Sequence, residues 1–201
     1  MNSKLRRLEV VKTAEDLVKD AITLPIDPKT IANDRGILVT AMKSKTAGAS
    51  GFLMKHGDSF GIGFSTAINN PGFINFTIAH ELGHYFLEGH VEQLFSNDSE
   101  IHESKSGFVT ADICEREADI FAASLLMPEK LFRTALRRAG QGFPAIEAVS
   151  QQCVTSITAT AIRYAEFADD PVIVLVSHGG MVDFCCLSPA FKEIGDILIS
   201  R

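Results

Sequence analysis

An α+β fold is predicted for these 201 residues on three observations. Short runs rich in β-branched and aromatic residues at 36–40, 50–55 and 59–65 gather ahead of the long helices, as a small mixed or antiparallel sheet. Two helical stretches with apolar faces, near 70–89 and 112–127, follow and can pack on it. The chain then closes on a helix pair and a short β-hairpin. This order divides the chain into residues 1–140 and an appendage over 141–201.

Each element has its own signal. Leu8, Val11, Ala14, Leu17, Val18 and Ala21 recur at helical spacing across residues 5–24. Asp27-Pro28 opens a short second helix over 29–33, and Gly36 ends it. The strand at 36–40 runs into a Lys/Ser/Ala/Gly loop at 41–49. His56-Gly57-Asp58 joins the next two strands as a hairpin turn. In the second of these, Gly61 and Gly63 alternate with Phe60, Ile62 and Phe64. Missing side chains on one face suit a close neighbour or a bulge. They equally suit an edge strand on which an extended peptide pairs through its backbone. Phe60, Gly61, Ile62, Gly63 and Phe64 are therefore candidate substrate-binding residues.

Asn70 is a good N-cap, Pro71 suits the first helical turn, and Gly89 can end the helix in a left-handed conformation. Between them the helix is apolar nearly all round and should be buried. Residues 90–111 lack periodicity and read as a functional loop, a flap over a cleft, with His102 in solvent among acids. The helix at 112–127 has Asp112 as N-cap and Pro128 closing it. Glu115 and Asp119 share one face, continued by Ala118, Ala122 and Leu126, and the alanines admit a neighbouring helix closely. Glu117 and Ser124 fall on the other side. A helix at 129–138 leads to the break Gly140-Gln-Gly142. Helices at 144–152 and 155–167 then flank Cys153-Val154, and strands at 172–176 and 181–186 flank Gly179-Gly180.

Composition bounds the function. A net charge of −6 does not suggest a nucleic-acid-binding face. The amino-terminal stretch is charged and amphipathic and lacks the apolar core of a signal peptide. No run approaches the ~18 apolar residues of a membrane span. The four cysteines, Cys114, Cys153, Cys185 and Cys186, form no C-x-x-C pair, so a cysteine zinc site is not expected. They read as reduced thiols of a cytoplasmic protein, with Cys114 a small buried side chain.

The chemistry centres on His80-Glu81-Leu82-Gly83-His84. On a helix, residues i and i+4 stand one turn apart on one face, so both imidazoles can share a metal ion. Glu81 lies toward the rim of that face, where a carboxylate can act as general base on water. A chance match of this pattern in a chain of this composition arises roughly once in a hundred. A third protein ligand is needed, and two residues compete. His90 lies six residues after His84, the spacing of H-E-x-x-H-x-x-G-x-x-H, but the turning glycine of that pattern is Leu87 here. Glu115, on a helix that can pack against the first, is the stronger candidate. Asp119 lies one turn further on, placed to orient a ligand histidine.

Residues 76–84, Phe-Thr-Ile-Ala-His-Glu-Leu-Gly-His, together with 115–123, Glu-Arg-Glu-Ala-Asp-Ile-Phe-Ala-Ala, and Leu125-Leu-Met-Pro128, resemble the ImmA/IrrE family of metallopeptidases. The segments 50–53 and 60–65 share the resemblance, which covers roughly residues 20–165. It implies a zincin-like core in which His80, His84 and Glu115 bind one Zn2+ per chain and Glu81 is the catalytic base. The E-x-x-x-D arrangement is also that of thermolysin-like enzymes, which supports the role of Asp119. Members of the family are bacterial or mobile-element proteins, and the best understood cleave a helix-turn-helix repressor. The function expected is therefore a zinc-dependent endopeptidase that cuts an XRE-type helix-turn-helix transcriptional repressor and so relieves repression.

Two other readings stand beside it. One is a DNA-binding regulator using the C-terminal helix pair, which offers a single cation, Arg163, where base and phosphate contacts need several. The other is a non-catalytic partner that sequesters the repressor, which has no need of the Glu81 kept here. Tyr164, Arg163 and His178 are candidates to stabilise an oxyanion, and the spacing assigns none of them.

Overall fold

A computed structural model describes residues 3–43, 48–97, 100–105 and 112–195. Two compact units make up the chain, Met1–Glu129 and Lys130–Arg201.

In the first unit, helices α1 (Ser3–Leu17) and α2 (Pro28–Asp34) precede strands β1 (Leu38–Met42), β2 (Ala49–His56) and β3 (Ser59–Ser65). Then come α3 (Pro71–Phe86), α4 (His90–Leu94), β4 (Ile101–Lys105) and α5 (Ile113–Leu126). The first helix stops at Leu17, short of the 24 expected, and the chain turns through residues 18–20.

The sheet order is β1-β3-β2-β4, with β1 parallel to β3 and the other pairings antiparallel. This corrects the reading of residues 60–64 as an edge strand. β3 is bonded on both sides, Ile62 standing opposite Val39 of β1 and Leu53 of β2, so its backbone has no groups left for a peptide. The bare faces of Gly61 and Gly63 are instead covered by neighbouring side chains, Met54 over the first and Met42 with Phe52 over the second. A second correction concerns the segment expected as a flap. It contains α4 and the terminal strand β4, which pairs Leu53 with His102 and Met54 with Ile101. Residues 106–111 lie outside the described residues.

α3 follows from its sequence. The Asn70 side chain accepts from the backbone N–H of Phe73 at 3.1 Å and Pro71 occupies the first turn, a cap worth about 1 kcal/mol. Its run from Thr77 to His84 is buried throughout, because β2 and β3 cover one face and α5 another. Gly89, at φ +85°, turns the chain into α4. The core is made by Leu53 and Ile62 of the sheet, Leu82 of α3 and Phe121 and Leu125 of α5, all fully buried. Burying a side chain of this size contributes about 1.5–3 kcal/mol.

The contact that fixes the site is between α3 and α5. A Cβ on Gly83 would lie 3.1 Å from Cα of Ala118 and 3.3 Å from its carbonyl oxygen. Only glycine lets the two backbones come this close, and the small-residue stripe on α5 meets the glycine of the motif.

From Lys130 on, the second unit carries all but the first residue of α6 (Glu129–Ala139), then α7 (Gly142–Cys153), α8 (Ile157–Phe167), the hairpin β5 (Ile173–His178) and β6 (Met181–Leu187), and α9 (Pro189–Ile194). α9 was not expected; Ser188 caps it, its hydroxyl accepting from the N–H of Phe191. Arg163 on α8 is buried and paired with Glu166 at 2.8 Å. The one cation expected on a recognition helix is thus turned inward. No helix among the described residues is long and apolar enough to cross a membrane.

Candidate metal centre

α3 and α5 bring His80, His84 and Glu115 together, with one donor atom from each within 4.8 Å of the others. Nε2 of His80 and Nε2 of His84 are 3.1 Å apart. The Glu115 carboxylate spans them, Oε2 at 3.3 Å from His80 and Oε1 at 3.3 Å from His84. Ligands held tetrahedrally at ~2.0–2.1 Å from one zinc stand about 3.3 Å from one another. The two imidazole nitrogens stand close to such an edge apart, and each oxygen of the one carboxylate is a like distance from one of them, so the donor set fits a shared ion.

The charges agree with this. The three histidines around Glu115 hold its carboxyl far below the usual range against the opposing effect of burial, with His102 the largest contributor. Burial drives His84 down to about 4 despite its contact with Glu115. Burial also opposes a charge on His80, but its hydrogen bonds to Asp119 and Glu115, with the Glu81 carboxylate nearby, outweigh that and push it up to about 10. Asp119 Oδ1 lies 2.9 Å from His80 Nδ1, leaving Nε2 of that ring for the shared position.

Glu81 is fully buried, and neither carboxylate oxygen has a hydrogen-bond partner. An unsatisfied buried polar group costs about 1–3 kcal/mol, more if charged. Burial pushes its carboxyl up to about 7, against the pull of the neighbouring His80. A carboxylate kept at that cost beside two metal-type imidazoles is suited to moving a proton.

Residues 32–142, which contain all of these groups, match the IrrE N-terminal-like domain, the peptidase M78 family. The chain belongs to that family, the ImmA/IrrE metallopeptidases. A radiation response metalloprotease IrrE of Deinococcus radiodurans is 30% identical over 105 residues, 52% of this chain and 31% of that protein. Its counterpart from Deinococcus deserti is 32% identical over 101 residues, 50% of this chain and 34% of that one. The matches therefore span about a third of those relatives. A solved structure, a Mycobacterium tuberculosis transcriptional regulator, aligns with a TM-score of 0.61 at 17% identity, covering 90% of this chain and 55% of that one. That likeness concerns the fold.

For an ImmA/IrrE chain a metal ion is implied, and the His80, His84 and Glu115 group is where the residues fit one. Several residues near it were not foreseen. His102, expected in solvent, is carried inward by β4, and its Nε2 lies 3.2 Å from Glu115 Oε1. His90, weighed as a rival ligand, is buried behind His84, their Nδ1 atoms 3.1 Å apart. Glu117, on the far side of α5 as expected, meets His90 there rather than solvent. Gly51 of β2 has the Glu81 carboxylate against it. A strand placed only by tertiary pairing leaves no local signal for the first of these. Cys114 is buried with its thiol toward Gln93. Of the oxyanion candidates, Tyr164 accepts from the N–H of Gly142 and Arg163 pairs with Glu166, both inside the second unit.

Proposed function

We propose that this chain is a zinc-dependent, site-specific endopeptidase with a zincin-like core, carried by residues 1–140. The observation that carries the reading is the triangle of His80, His84 and Glu115 with the buried, unpartnered Glu81 beside it. His80, His84 and Glu115 would hold the ion, one per chain. When bound, zinc supplies Lewis acidity toward a peptide carbonyl and lowers the pKa of water at the site.

The chain's own residues do the rest. Glu81 takes the proton of the attacking water and returns it to the leaving amine. Asp119 fixes the ring of His80, and His102 holds one oxygen of Glu115. The substrate is a protein, and the family resemblance supports an XRE-type helix-turn-helix repressor in the cytoplasm, whose cleavage relieves repression. An extended segment of it would lie along the outer side of β4, the terminal strand of the sheet and the one that bears His102.

The test is cleavage of a helix-turn-helix repressor by wild type and by Glu81→Gln, each loaded with zinc. Wild type should cut at one defined bond, and Glu81→Gln should hold zinc and not cut. Binding without cutting by both proteins would point to sequestration. Salt-sensitive binding to operator DNA alone would point to a DNA-binding regulator.

A further inference from the structure

His84 has a second, buried contact that the proposed chemistry does not use. Its Nδ1 lies 3.1 Å from Nδ1 of His90, the first residue of α4, which is 1% exposed. The other nitrogen of His90, Nε2, lies 3.1 Å from Glu117 Oε2. That same oxygen accepts from Nε of Arg6 on α1 at 2.8 Å, and Arg6 also donates to the Glu88 carbonyl at 3.0 Å. Four elements thus contribute to one line of polar groups ending at the His84 ring.

We propose that His90 and Glu117 are positioning residues that fix the ring of His84 for metal binding, with Arg6 anchoring the outer end. The proton arithmetic allows one arrangement. Nε2 of His84 faces the shared metal position, so its proton must sit on Nδ1, which then donates to Nδ1 of His90. His90 therefore carries its own proton on Nε2 and donates it to Glu117. Glu117 accepts from both His90 and Arg6, which keeps it an anion. Each ligand histidine is then backed by a carboxylate, His80 directly by Asp119 and His84 through His90 by Glu117. Both nitrogens of His90 are used in this arrangement, so His90 is a support for the metal and not a ligand. Outer partners of this kind orient the ligand ring and raise its basicity, and losing one costs about 10- to 100-fold in metal affinity.

The inference rests on the metal reading above, and the experiment separates the two. Zinc affinity is measured by chelator competition for wild type, His90→Leu, His90→Asn and Glu117→Gln, with folding checked by circular dichroism. Leucine fills the space without an acceptor, whereas asparagine places an oxygen near the position of Nδ1. His90→Leu should bind zinc about 10- to 100-fold more weakly, and His90→Asn should recover most of that loss. Glu117→Gln should fall between them, since it keeps an acceptor and loses the charge. In zinc-loaded, nitrogen-15-labelled wild type, a scalar coupling across the hydrogen bond should link the two Nδ1 nitrogens. Folded His90→Leu with wild-type affinity, or equal losses in the leucine and asparagine variants, would overturn the relay alone. Wild type that takes up no zinc would sink the metal reading and the relay with it. If His90→Leu does not fold, the coupling decides, and its absence overturns the proposal.

Discussion

No Cβ fits on Gly51: one placed there runs into Oε1 of Glu81 and stands 2.7 Å from Cγ2 of Thr77. β2 therefore approaches α3 closely enough to wall in the carboxylate proposed as the base. Gly51→Ala should displace Glu81 while leaving His80, His84 and Glu115 in place. Cleavage is expected to fall by something on the order of 10²-fold, the scale of losing a positioned base, with zinc affinity near wild type. Parallel loss of zinc and activity would show that the strand, and not the carboxylate, had moved.

Gly83 tests the packing that assembles the ligands. A valine there meets the backbone of Ala118 on α5, so the two helices must separate. Overpacking of this kind costs about 1–3 kcal/mol, which outweighs the roughly 0.3 kcal/mol of helix propensity that valine gains over glycine. The expected result is a lower melting temperature together with weaker zinc binding. A stable Gly83→Val protein with unchanged zinc affinity would contradict the close crossing.

Asp119 bonds directly to the ring of His80 at 2.9 Å. Asp119→Ala should cost about 10- to 100-fold in zinc affinity. Glu117, on the opposite side of α5, is no silent control for it, because its carboxylate contacts His90. Glu92 of α4, an exposed residue, is the comparison. Equal losses from Asp119→Ala and Glu92→Ala would contradict a specific role for Asp119.

Protons compete with the metal at His80. With its imidazole pushed up to about 10, His80 is charged at neutral pH, and zinc must displace a proton. His84, driven down to about 4, is already neutral there. Zinc affinity should therefore rise with pH, by about tenfold per unit between pH 7 and 9, as expected for one released proton. Chelator competition across that range checks it. A plateau from pH 7 upward would mean that His80 is neutral before the metal arrives.

The helices of the site were legible because their signals are local. Asn70, Pro71 and the spacing of His80 and His84 define α3, and Glu115, Ala118 and Asp119 define the face of α5 that meets it. What sequence could not show depends on which strand lies beside which. β1 pairs in parallel with β3, which makes β3 an interior strand, and no residue of β3 announces that. His102 looked solvated because its neighbours are acidic, yet β4 turns it toward Glu115. Helical phase correctly put Glu117 away from the ligands, but phase says nothing of α4, which brings His90 to that side.

The most direct measurement locates the metal itself. Anomalous diffraction at the zinc edge from zinc-loaded crystals should show one site per chain, bound by Nε2 of His80, Nε2 of His84 and a carboxylate oxygen of Glu115 at about 2.0–2.2 Å. His90 should stand behind His84 and outside the coordination sphere. Zinc bound through His90, or seated away from Glu115, would contradict the account.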